Sequence, residues 1–110
     1  MARTTRKPTY ATAREREIVK KLQTLANIGP AIADDLLRLG MTEPADLATR
    51  DAEELYEELC ALDGRRHDPC VLDTFMAAVD EARGNPPQPW WAYTPVRKAR
   101  QASRATSDTP

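Results

Sequence analysis

Leu25-Ala26-Asn27-Ile28-Gly29-Pro30-Ala31-Ile32-Ala33-Asp34-Asp35-Leu36 reads as the end of one helix, a tight turn and the start of a second. Pro30 suits a first helical position, where its missing N–H would have no partner anyway. Ile32, Ala33, Leu36 and Leu37 then recur at helical spacing and mark the buried side, and Gly40 stops the helix. Ile28, between Asn27 and Gly29, is an apolar plug for the gap between the helices. The positions flanking such a plug must take unusual backbone angles or let the backbone approach something closely. Gly29 meets either demand, and Asn is the non-glycine residue that best tolerates a left-handed conformation at position 27.

Working outward, Ile18, Val19, Leu22 and Leu25 predict a helix over 14–25, with Arg14, Arg16, Lys20 and Lys21 facing out. Downstream, Thr42 reads as the N-cap of a short helix over 43–48 with Pro44 in its first turn. Asp51, followed three residues on by Glu54, opens a helix over 52–62 as a capping box, and Leu55, Leu59 and Leu62 mark its inner face. After the polar loop 63–69, Asp68-Pro69 opens a helix over 69–83 with Val71, Leu72, Phe75, Met76 and Val79 as its stripe. Pro86-Pro87-Gln88-Pro89 cannot be helical and predicts polyproline II ahead of Trp90, Trp91 and Tyr93. No strand is expected. The fold class is therefore all-α, with about five short helices. Residues 13–96 form the domain, and residues 1–12 and 97–110 read as disordered basic tails.

A chain of 110 residues allows one domain, and no apolar run reaches the length of a membrane span. The basic N-terminus has no apolar stretch behind it, so no secretion signal is expected, and two cysteines then suggest free thiols in a reducing, cytoplasmic setting. The net charge of −1 hides an asymmetry. Residues 1–21 hold seven Lys/Arg against Glu15 and Glu17, and residues 97–110 hold Arg97, Lys98, Arg100 and Arg104 against Asp108. The middle keeps five Arg against fourteen acids. Basic ends favour nucleic acid, and an acidic middle opposes it.

The stretch at 25–36 resembles the helix-hairpin-helix motif. Taken with Asp-Ala-Glu-Glu-Leu-Tyr-Glu-Glu-Leu-Cys (51–60), Asp68-Pro69-Cys70-Val71-Leu72-Asp73-Thr74-Phe75 and Pro89-Trp90-Trp91, the chain is similar to the bacterial "pathogenicity locus" helix-hairpin-helix family, some members of which carry a mitomycin-resistance label. The resemblance covers about residues 20–95 and implies a fold and a bacterial cytosol, with no established activity. It also implies that turn N–H groups at the start of the second helix meet a DNA phosphate, here those of Gly29 and Ala31. Pro30 stands where DNA-binding versions often have Lys, and Asp34 and Asp35 place negative charge near such a phosphate. The helices from 51 to 83 read as a degenerate second hairpin.

Other chemistry is sparse. Cys60, His67 and Cys70 offer three nitrogen or sulfur ligands at no standard zinc spacing, and Asp63 or Asp68 would have to complete a set. The reading taken is two buried thiols and an exposed loop histidine, with no metal and no cofactor. A helix N-terminus at Cys70 would lower its thiol pKa, and Asp68 and Asp73 would raise it. Trp90 and Trp91 could stack on a base or a peptide, but are read first as a cover for a core short of large side chains. The acids at 51–58 read as a solvated helix face. No nucleophile–base set, P-loop or dinucleotide motif occurs, so no enzyme is expected. The expected function is a non-catalytic module binding DNA without sequence preference through Asn27, Ile28, Gly29, Pro30, Ala31, Lys20 and Lys21 and the basic tails. The alternative is a protein-interaction module using the acidic helical face or Trp90-Trp91. No membrane contact is expected.

Overall fold

The computed structural model describes residues 12–107, and the expectation for residues 1–11 lies outside them. Among the described residues five α-helices run in the order α1 (Ala13–Leu22), α2 (Pro30–Arg38), α3 (Ala52–Asp63), α4 (Pro69–Ala82) and α5 (Thr94–Ser107). Short 3-10 helices sit at Pro44–Thr49 and Trp90–Tyr93, and no strand occurs among the described residues.

The helix ends show why these segments fold where they do. Thr12 caps α1 as a capping box: its hydroxyl accepts from the Glu15 N–H at 3.1 Å, and the Glu15 carboxylate accepts from the Thr12 N–H at 3.1 Å. Helix α2 closes at Gly40, whose φ of 95° is left-handed. There the Met41 N–H donates to the Leu36 carbonyl at 3.0 Å and the Gly40 N–H to Leu37 at 2.9 Å. Gly64 ends α3 the same way, at φ 65°. Two sequence-predicted caps differ in detail. Asp51 occupies the N-cap of α3 but makes no side-chain cap bond. Thr42 is not the cap of the short 3-10 helix, which belongs to Glu43; instead the Asp46 carboxylate collects Thr42 N–H, Thr42 hydroxyl and Glu43 N–H at 2.9, 2.9 and 3.2 Å. Those donors lower the Asp46 pKa, the Thr42 amide most.

Helix α4 is the centre of the molecule. Every residue from Val71 to Val79 is buried, including Asp73 and Thr74. It packs against α3, α5 and both 3-10 helices, while α1 and α2 pack on each other. Ile28, Leu36, Leu55, Leu59, Val71, Phe75 and Val79 are buried as the periodicity predicts, and Ile32 is half-buried against the core. Leu62 is an exception at 52% exposed. The inner stripe of α3 runs through Ala52, Leu55, Tyr56, Leu59 and Cys60, which turns it toward Tyr56 and leaves Leu62 at the rim.

The largest departure lies at the C-terminal end. The segment from 97, whose polar composition reads as an unstructured tail, is helical as far as Ser107. Arg97 is buried, and its Nε donates to the Asp73 carboxylate of α4 at 2.7 Å. The Thr94 hydroxyl donates to the same carboxylate at 2.7 Å. One buried ion pair therefore anchors a helix that hydrophobic patterning cannot reveal.

Burial sets the expected response to truncation. Phe75 is fully buried, so Phe75→Ala should cost about 3–5 kcal/mol in urea unfolding. Leu62→Ala should stay within about 0.5 kcal/mol, as exposed positions do; equal costs at the two sites would contradict this packing.

Candidate functional site

The hairpin turn is built by the return of a distant segment. Neither Asn27 nor Gly29 takes a left-handed conformation: no non-glycine residue among the described ones has positive φ, and Gly29 sits at φ −92°. The Asn27 side chain works at long range instead. Its Nδ2 donates to the Gln88 carbonyl at 2.7 Å, and its Oδ1 accepts from the Trp90 N–H at 3.0 Å. The Pro-rich segment is thereby tied to the turn. A second link comes from α4, whose Glu81 carboxylate accepts from the Ala26 N–H at 2.8 Å. Ile28 plugs the turn as predicted, at 5% exposed.

Gly29 is the N-cap of α2 and contributes no side-chain cap, and the first turn of α2 holds no acid. A Cβ added at Gly29 would meet no described atom within 4 Å. Gly29 and Pro30 are exposed, Ala31 is half-exposed, and Lys20 and Lys21 are exposed at the C-terminal end of α1. The two aspartates that follow do not share this outer surface. Asp34 and Asp35 are 2% and 0% exposed, and Asp35 reaches Arg38 at 3.2 Å.

Of the two tryptophans, Trp90 is half-buried and Trp91 is 63% exposed, with ring centroids 5.7 Å apart in an edge-to-face pair. The aromatic that packs on the core is Tyr93. Its hydroxyl donates to Asp80 at 2.5 Å, and burial together with that carboxylate pushes its pKa up to about 12.

His67 is buried, against the sequence expectation of an exposed loop histidine. The cause is a set of local bonds. Its Nε2 pairs with Asp63 at 2.7 Å, its N–H donates to Cys60 Sγ at 3.4 Å, and its carbonyl accepts from the Tyr56 hydroxyl. Asp63 also pairs with Arg38, which joins α3 to α2. Arg38 first, then His67, hold the Asp63 carboxyl below its usual range. Cys60 is buried but Cys70 is exposed, so the two thiols do not share one environment. Burial and then Asp68 raise the Cys70 pKa. No group of three or more His, Cys, Asp or Glu side chains among the described residues is arranged to hold a metal ion.

The acidic face of α3 is internally paired. Glu57 receives both Arg66 nitrogens at 2.7 and 2.9 Å, Glu58 pairs with Arg50, and Glu53 lies 3.6 Å from Arg100. A shallow groove of about 170 Å³ between α3, α4 and α5 is lined by Asp51, Met76, Val79, Arg83, Tyr93 and Val96, and holds none of the sequence-predicted site residues. No helix among the described residues is long and apolar enough to cross a membrane.

The pathogenicity locus (Cdd1) family matches residues 15–99, from the first turn of α1 through the hairpin and into α5. The chain belongs to that family. It is also 54% identical over 77 residues to "Mitomycin resistance protein McrB" of Streptomyces lavendulae, a span covering 70% of this chain and 73% of that protein. No solved structure matches. The pathogenicity locus match runs past residue 96 and takes in Arg97, in keeping with a role for that residue inside the fold.

Asn27→Ala removes both tethers. It should cost on the order of 1–3 kcal/mol and shift tryptophan emission to the red as Trp90 loosens. Asp63 generates a pH dependence. Its folded pKa lies below 3.8, so its contribution is complete above that value and is lost as pH falls through the folded value. The melting-temperature advantage over Asp63→Asn should hold at about pH 6 and shrink at about pH 3.

Proposed function

We propose that this chain is a non-catalytic, cytoplasmic module that binds DNA without sequence preference, with the hairpin turn against a phosphate. The observation that carries this reading is Gly29. Its φ of −92° is open to any residue, and a side chain there would meet nothing of the described fold. Packing therefore makes no demand for glycine at this position beyond the modest preference of a helix N-cap for it. An approaching phosphate gains from it, because a residue without a Cβ lets an anion come closest to the backbone N–H groups at the helix start. The Ala31 N–H lies one residue past Pro30, and Lys20 and Lys21 stand exposed on the helix leading into the turn. The burial of Asp34 and Asp35 favours the reading further, since their carboxylates are withdrawn from the outer surface.

The absence of catalysis is supported by the one histidine, which is buried and engaged with Asp63. A partner docking on the acidic face of α3 is less favoured, because Glu53, Glu57 and Glu58 already face arginines of the same chain. The mitomycin-resistance name of the Streptomyces relative suggests the same phenotype for this chain, to be read as growth of an expressing strain on the drug.

Binding should fall steeply with salt, since displaced counterions drive it. Lys20→Ala with Lys21→Ala should flatten the slope of log K against log salt by up to about 2 on duplex DNA. Gly29→Ala should fold with stability within about 1 kcal/mol of the parent and yet bind more weakly at every salt concentration. The C-terminal basic residues need point changes rather than truncation, because removing Arg97 strands Asp73. Full-length protein that binds neither duplex nor single strands at low salt would end this reading.

A further inference from the structure

We propose that the hairpin face takes single-stranded DNA, with an unstacked base lying on the Trp91 indole beside the turn; this rests on the DNA-binding reading and narrows its substrate. Trp91 is the largest apolar side chain left in solvent, at 63% exposed, in a chain with only two tryptophans. It is exposed on a fixed support. On one side the Trp90 N–H is held by Asn27, and the Ala92 N–H closes onto the Pro89 carbonyl at 3.0 Å. On the other side the Tyr93 hydroxyl is bound by Asp80 and the Thr94 hydroxyl by Asp73. An aromatic held this way loses little conformational freedom when a ring stacks on it.

The support also sets what lies beside the ring. Asn27, in the turn itself, is the residue that bonds the backbone of Gln88 and Trp90. The indole therefore follows directly on the Trp90 backbone that the turn's own Asn27 holds. Pro95 and Lys98, on the helix that follows, are exposed like Trp91. The acids nearest this face are engaged within the fold: Glu81 with the Ala26 N–H, and Asp80 with Tyr93 and the Asn85 amide. An exposed indole on a segment tied to the hairpin turn fits a strand whose bases are free. In a duplex each base is already stacked on its neighbours and offers no open face.

The test uses the full-length chain, a labelled 16-nucleotide thymidine oligomer and a duplex of equal length, with anisotropy for affinity and tryptophan emission for contact. Single strands should quench the emission. Trp91→Leu should weaken single-strand binding by roughly 5- to 150-fold, the range for loss of one stacked base. Trp91→Phe should restore most of it, and duplex affinity should not change with either. Thermal melts should match the parent, since the ring is exposed. Single-strand binding that survives Trp91→Leu without quenching overturns the inference and leaves the phosphate reading in place. No binding to either form overturns both.

Discussion

Asp73 is a carboxylate at complete burial on the central helix, and much of the C-terminal half is arranged to answer it. A buried carboxylate without a partner is strongly unfavourable, so it must collect donors wherever the chain can bring them. The donors are the Arg97 guanidinium and the Thr94 hydroxyl, both from the start of α5. Once α5 is pinned there, the 3-10 helix at Trp90–Tyr93 has to lie along α4, and Tyr93 reaches Asp80. The residues before it run back from Ala82 past the hairpin turn. Asn27 receives them there. The segment that carries Trp91 is thus held between Asn27 on one side and two acids of α4, Asp80 and Asp73, on the other.

A second polar cluster does the equivalent task for the other half. Arg38, at the end of α2, pairs with both Asp35 and Asp63. Asp63 in turn holds His67, whose carbonyl takes the Tyr56 hydroxyl. These bonds fix the loop between α3 and α4 and couple it to the first hairpin. Arg38 also accounts for one of the two consecutive aspartates after the turn, Asp35. The helical phase that places Leu36 in the core turns Asp34 and Asp35 inward as well.

The helices were largely legible in the sequence, because each carries its own punctuation. Pro30 and Pro69 mark starts, Gly40 and Gly64 mark stops, and apolar residues recur between them at helical spacing. What could not be read depended on partners far along the chain. Position 97 looks like part of a polar tail until Asp73, 24 residues earlier, is seen to be buried. Asn27 looks like a local substitute for glycine, yet its bonds run to residues 61 and 63 positions away. His67 sits in a run of polar residues that gives no sign of burial; the nearest clue was Asp63 one helical turn before it. Ile28 is buried as a plug between the helices, and Lys20 and Lys21 are exposed as the spacing of α1 predicts. The tie between the Pro-Trp segment and the turn, made by Asn27, has no local signature.

The two glycine-type positions of the turn therefore divide their roles in a way the motif alone does not suggest. At 27 the chain has given up the smallest residue and gained a side chain with one donor and one acceptor, both spent on an internal segment. At 29 it has kept the smallest residue where its own fold leaves space for a larger one. The first choice strengthens the support under the Trp segment. The second leaves backbone N–H groups open to a partner from outside. A structural turn uses the second only as a helix N-cap, and the open space around Gly29 is the physical ground for proposing the hairpin as a binding surface.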